Sequence, residues 1–150
     1  MKAKPPVTAE RWRCPMCRRT FARAKQAHSC LVVPLSAHLD RATPDTRRIF
    51  DAVMRALERC GPVAVVPTKT MITLLSNSSL GGLRFHKDGV RVGFVLTRKV
   101  SHPRIVSTLQ LSPRSVHHQV HLRSVGEVDA QLRKWLKEAY DVGLMAGRRE

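Results

Sequence analysis

The stretch Leu83–Thr97, L-R-F-H-K-D-G-V-R-V-G-F-V-L-T, decides how this chain folds. Asp88-Gly89 separates two runs of alternating character, and an Asp-Gly pair readily takes the positive φ angles of a tight hairpin turn. Side chains alternate across a strand with a period of two. Before the turn, Leu83 and Phe85 therefore oppose Arg84 and His86. After it, Val90, Val92, Phe94 and Leu96 share one face and leave Arg91 on the other. Val116–Arg123 repeats the pattern, with Val116, His118, Val120 and Leu122 against His117, Gln119, His121 and Arg123. One sheet face is predicted to be apolar, the other basic and rich in histidine.

Working outward, Val63–Val66 and Met71–Ser76 read as short strands around Pro67-Thr-Lys-Thr70, a turn that presents Lys69. Arg104–Leu111 is a further strand ahead of Val116–Arg123. Segments this closely connected are predicted to pair antiparallel with their sequence neighbours. The apolar face needs a cover, and two helices supply it. Pro44–Cys60 has Thr43 as N-cap, proline in its first turn and an apolar stripe of Ile49, Phe50, Val53, Met54 and Leu57. Gly61-Pro62 ends it. The second helix is expected to open on the Ser124–Glu127 capping box. Its stripe comprises Val128, Leu132, Trp135, Leu136, Ala139 and Gly143, with Trp135 and Tyr140 read as core and core-edge residues. The expected class is α+β: an antiparallel sheet with two helices packed on one face, over residues 44–144. Residues 145–150 read as a basic tail.

A different signal precedes this body. Trp12–Cys30, W-R-C-P-M-C-R-R-T-F-A-R-A-K-Q-A-H-S-C, holds three of the four cysteines. Tetrahedral zinc takes thiolate and imidazole ligands, and a Cys-x-x-Cys turn sets two sulfurs on one ion. Cys14, Cys17, His28 and Cys30 are the expected ligands of a zinc knuckle, with His38 the alternative fourth. His28 and Cys30 stand about 200° apart on a helix, so their joint use requires non-helical backbone. Residues 12–38 thus form a zinc-finger-like segment behind a basic arm, 1–11, and Ser36–Arg41 reads as a helical turn. A redox Cys-x-x-Cys is disfavoured, because such pairs stand where a strand enters a helix and no strand is expected before Cys14.

Charge narrows the partner. Lys and Arg total 27 against 11 acids, a net charge of +16. Eight basic side chains stand in residues 1–30 against Glu10 alone, and eight between Arg84 and Arg123 against Asp88 alone. Such clustering points to a polyanion, with nucleic acid, DNA or RNA, foremost. No apolar run approaches the length that spans a bilayer. The N-terminus lacks the apolar core of a signal peptide, so a cytoplasmic protein with reduced cysteines is expected.

The combination C-P-x-C…F-A-R…Q-x-H-S-C, G-P-V-x-V-x-P-T-K-T, S-P-R-S-V-H-H and W-L-K-E-A-Y-D-V-G resembles bacterial proteins of domain-of-unknown-function family 5655, in the version with a cysteine-histidine segment ahead of the domain. The resemblance covers residues 12–144. It implies a small α+β body and family-pattern positions at His28, Cys30, Lys69, His117 and His118, and it implies no activity. The chain departs from the family after P-T-K-T, where M-I-T-L-L-S-N-S-S-L-G-G-L replaces a phenylalanine-rich strand.

The residues fit a non-catalytic zinc protein that binds nucleic acid through its phosphates. Arg18, Arg19, Arg23 and Lys25 on the knuckle would join Lys69, Arg84, Arg91, His117, His121 and Arg123 on the body. Exposed aromatics are few, so backbone recognition is expected over base stacking. A protein-interaction adaptor is one alternative. The other is a metal-independent enzyme acting on RNA through His117 or His121. No strand offers the paired carboxylates of a metal-dependent nuclease, and His117 and His121 lie about 13 Å apart on an extended strand, too far to share an ion.

Overall fold

The computed structural model describes Trp12–Arg13, Thr20–Phe21 and residues 33–146. Trp12–Arg13 (β1) and Thr20–Phe21 (β2) pair antiparallel, Trp12 opposite Phe21 and Arg13 opposite Thr20. A strand therefore does precede Cys14, contrary to expectation, but it belongs to a short antiparallel ladder. The basic arm and Cys14, Cys17, His28 and Cys30 lie outside the described residues.

The body opens with Leu35–Leu39 (α1), the expected turn, and Pro44–Glu58 (α2). Thr43 and Thr46 cap α2 reciprocally: Thr46 N donates to Thr43 Oγ1 at 3.1 Å and Thr43 N to Thr46 Oγ1 at 2.9 Å. Six strands follow: Ala64–Pro67 (β3), Ile72–Leu75 (β4), Ser79–His86 (β5), Gly89–Leu96 (β6), Ile105–Ser112 (β7) and Ser115–Leu122 (β8). Ala130–Ala146 (α3) closes the body, two residues into the stretch expected as a tail. All neighbouring strands are antiparallel, in the order β3-β4-β5-β6-β8-β7. The class is α+β.

Two local expectations are corrected. First, β7 does not pair with β6; β8 lies between them, with Val92 opposite Val120 and Phe94 opposite His118. Burial accounts for the exchange. Every second side chain of β8 is buried, whereas β7 has none fully buried. The strand with a complete apolar face takes the position that the helices cover. Second, the Ser124–Glu127 box closes a single 3-10 turn, Val125–Glu127, and not α3. Glu127 Oε1 accepts from the amides of Arg123 and Ser124, at 2.5 and 3.2 Å, and Val128 then leaves helical geometry. Asp129 restarts the chain by accepting from Leu132 N at 3.0 Å.

The core lies between the helices and one sheet face. Ile49, Val53 and Leu57 from α2, and Leu132, Trp135 and Leu136 from α3, meet Val90, Val92, Phe94 and Leu96 of β6, all buried. Tyr140 is buried too, and its hydroxyl donates to Pro62 O at 2.8 Å, tying α3 to the chain that leaves α2. Among the described residues no helix is long and apolar enough to cross a membrane.

Candidate functional site

The sheet face away from the helices carries the polar set. Register places Arg84 opposite Arg91, and Arg91 opposite His121, in a row across β5, β6 and β8. Arg84 is exposed and Arg91 half-buried. The His121 side chain is only 9% exposed, although it belongs to the open face. Its ring lies over Gly89, where a Cβ would stand 2.9 Å from Nε2.

Hydrogen bonds explain that burial. Arg91 Nε donates to His121 Nδ1 at 3.4 Å, and His121 Nε2 donates to Asp88 Oδ1 at 3.1 Å. Asp88 Oδ2 also lies 3.6 Å from Arg123 Nε. The bond from His121 is the first reason that the Asp88 carboxyl stays below its ordinary pKa, and Arg123 adds to it. Asp88 thus holds the hairpin turn against the end of β8. The His86 ring meets that of His121 edge-on, with centroids 5.5 Å apart. His86 is exposed, yet partial desolvation, then Arg91, His121 and Arg84, lower its pKa; Asp88 acts in the opposite sense. A bound anion would relieve the like-charge part of that effect.

The other predicted residues divide by position. Lys69 is exposed in the turn after β3, which the register sets at the same end of the sheet as the β5–β6 turn. Arg123 and Lys87 are exposed at that end. His117 lies farther along the face, opposite Val95 and Leu109, with its ring across Gly93, where a Cβ would meet Nε2 at 2.4 Å. Burial lowers its pKa, and His118 contributes. His38 is buried, with Nε2 at 2.5 Å from the Thr68 carbonyl, so α1 uses that nitrogen to fasten β3. Arg18, Arg19, Arg23 and Lys25 lie outside the described residues.

Sequence reasoning omitted His86, Lys87 and Asp88 from the candidate contacts. Alternation already placed His86 on the face of Arg84; what it could not show was that β8 ends beside this turn. Chemically, the cluster is a set of cations around one carboxylate. Both ring nitrogens of His121 are engaged, which leaves it no free site for a substrate proton. Among the described residues no three His, Cys, Asp or Glu side chains converge as a metal site.

A family model described as Domain of unknown function (DUF5655) matches residues 35–143. The chain belongs to this family. The DUF5655 domain begins at α1 and reaches almost to the end of α3, so it contains the whole six-stranded sheet and the Arg84–Arg91–His121 row. It includes His38 and Cys60 but none of the cysteines of the zinc-finger-like segment. No curated protein and no solved structure matches the DUF5655 chain.

Proposed function

We propose that this protein is a non-catalytic, zinc-binding nucleic-acid-binding protein that holds the phosphate backbone against the open face of its sheet. The observation that carries the reading is the row Arg84–Arg91–His121, extended by Lys87 and Arg123, in which Asp88 is the one acid that pairs with these side chains and is held in place by His121 and Arg123. Guanidinium groups suit phosphate because their planar fork donates two parallel bonds. A twisted sheet with cations at one end offers a backbone track and few base-edge readers, so affinity with little sequence choice is expected. Zinc enters through Cys14, Cys17, His28 and Cys30, by the spacing of the ligands, and would fold the segment that adds Arg18, Arg19, Arg23 and Lys25 to the same polyanion.

The test is fluorescence anisotropy of labelled single- and double-stranded DNA and RNA against the full chain, across a salt series. Affinity should fall steeply with salt, since each neutralised phosphate releases counterions. Arg84→Ala and Arg91→Ala should each reduce the slope of log affinity against log salt by about 1. Arg47→Ala, an exposed site on α2 paired with Asp51, should change it little. Binding that ignores salt, or slopes unmoved in both sheet variants, would sink the reading.

A further inference from the structure

The two edges of the six-stranded sheet are treated differently. At the β3 edge, Pro67 removes a donor, Val33 N bonds the Pro67 carbonyl at 3.1 Å, and His38 of α1 reaches the Thr68 carbonyl. The Pro67 end of that edge is covered. At the opposite edge β7 pairs, among the described residues, only with β8, and its sequence, I-V-S-T-L-Q-L-S, contains no charged residue in a chain of net charge +16. Val106, Leu109 and Leu111 are 52%, 60% and 54% exposed. Proteins ordinarily guard a free edge with lysine, proline or a covering segment, because unpaired backbone groups template further pairing. Irregularities in pairing at Val106 and Leu111 leave Ser107–Gln110 as the uninterrupted ladder.

We propose that β7 is a self-association edge, pairing antiparallel with β7 of a second copy to make one continuous twelve-stranded sheet. Charge selects this occupant. A polyanion or an acidic partner is drawn to the arginine-lined surfaces, not to a neutral strand. A second copy of a strongly cationic chain is repelled wherever cations meet, and so requires an edge without them. Antiparallel pairing with itself is isologous, the symmetry that closes a dimer. A two-fold axis through Leu109 sets the two Leu109 side chains opposite each other, and Thr108 opposite Gln110 of the second copy. Cross-strand apolar pairs of this kind stabilise a sheet. Of the two flanking arginines, Arg104 is already bound, to Asp129 Oδ1 at 2.9 Å and the Glu127 carbonyl at 2.6 Å, and the exposed Arg114 stands in the turn beyond the Ser107–Gln110 ladder. The same axis, normal to the sheet, puts the two basic faces on one side.

The test is light-scattering mass across a concentration series, on nuclease-treated full chain in enough salt to strip bound nucleic acid. Twice the monomer mass is expected at high concentration, dissociating on dilution. Leu109→Arg and Leu111→Lys, both at exposed positions, should return the monomer with unchanged circular dichroism. Amide hydrogen exchange of the wild-type chain gives a reading that needs no variant: Ser107–Gln110 should become more protected as concentration rises. A monomer at every concentration overturns the proposal, as does a dimer that survives both substitutions with Ser107–Gln110 unprotected. Loss of nucleic-acid binding alone leaves it standing, because the dimer forms without nucleic acid.

Discussion

At the scale of single residues, His118 is the most constrained ionisable group of the body. It is fully buried, stacked on Phe94 with centroids 5.5 Å apart and planes 9° apart, and its Nε2 accepts from Val100 N at 2.9 Å. A neutral ring accepting at Nε2 must carry its proton on Nδ1, and that atom is buried without a hydrogen-bond partner. Such a group costs roughly 1–3 kcal/mol, which the stack and the Val100 bond offset. Burial, aided by Arg98, lowers the His118 pKa, while the nearby backbone of Val116 and Phe94 and the Glu138 carboxylate act in the opposite sense. A folded pKa below the unfolded value means that charging is penalised in the native state. Its contribution is therefore complete above about pH 6.5, the unfolded value, and is lost as pH falls through the folded pKa. Thermal stability should decline on acidification below that point. His118→Phe keeps the stack but cannot titrate, so it should flatten part of the acid slope and lower the melting temperature at pH 8, where Val100 N loses its acceptor. His86 and His117 shift in the same direction, so some slope should survive. A wild-type melting temperature level from pH 8 to pH 5 would contradict this account.

At the scale of elements, β5 shows why one strand escaped local reading. Its first half, S-L-G-G, has too little side chain for alternation to register, and the strand begins at Ser79 where Leu83 was expected. Gly81 takes φ +147°, and a Cβ there would stand 2.0 Å from Gly93 O and 2.9 Å from Phe94 Cα, both rigid backbone atoms of β6. The glycine is what lets β5 lie against β6 while the pairing with β4 shifts register between Leu74 and Leu75. Gly81→Ala should cost more than about 2 kcal/mol in denaturant unfolding, because strain and clash add. Gly126→Ala, whose Cβ would meet only Ser124 Oγ at 3.9 Å, should fall within about 0.5 kcal/mol. Equal losses at the two positions would refute the role given to Gly81. The β5–β6 hairpin, α2 and the apolar face of β8 were all legible, since turn chemistry, caps and periodicity are local. The start of α3 was misread because two capping signals stand five residues apart, Ser124 and Asp129, and the first is satisfied within one turn.

At the scale of the whole molecule, the buried residues of the hydrophobic core run from Ile49 to Tyr140, and of residues 33–38 Leu35 packs against their margin. The family match begins at residue 35, beyond the four proposed zinc ligands, so metal and body are expected to separate. On the proposed reading, wild-type protein carries zinc by metal analysis and Cys14→Ser does not, while the unfolding transition of the body is the same in both. A body that unfolds when zinc is stripped would show that the segment supports the core. The sequence by itself determined the class of each main element and which side chains share a face, because helix and strand periodicity act over a few residues. It also carries the excess of basic charge, and its cysteine spacing is the ground for the zinc proposal. Only the tertiary structure decided the strand order, for β8 displaces β7 from β6 when its alternate residues enter the core beneath the helices. That exchange brings His121 beside Arg91 and Asp88, residues 30 and 33 positions away, and leaves β7 uncharged at the edge. Contacts at such separation depend on which surfaces exclude water together, and no local pattern records that choice.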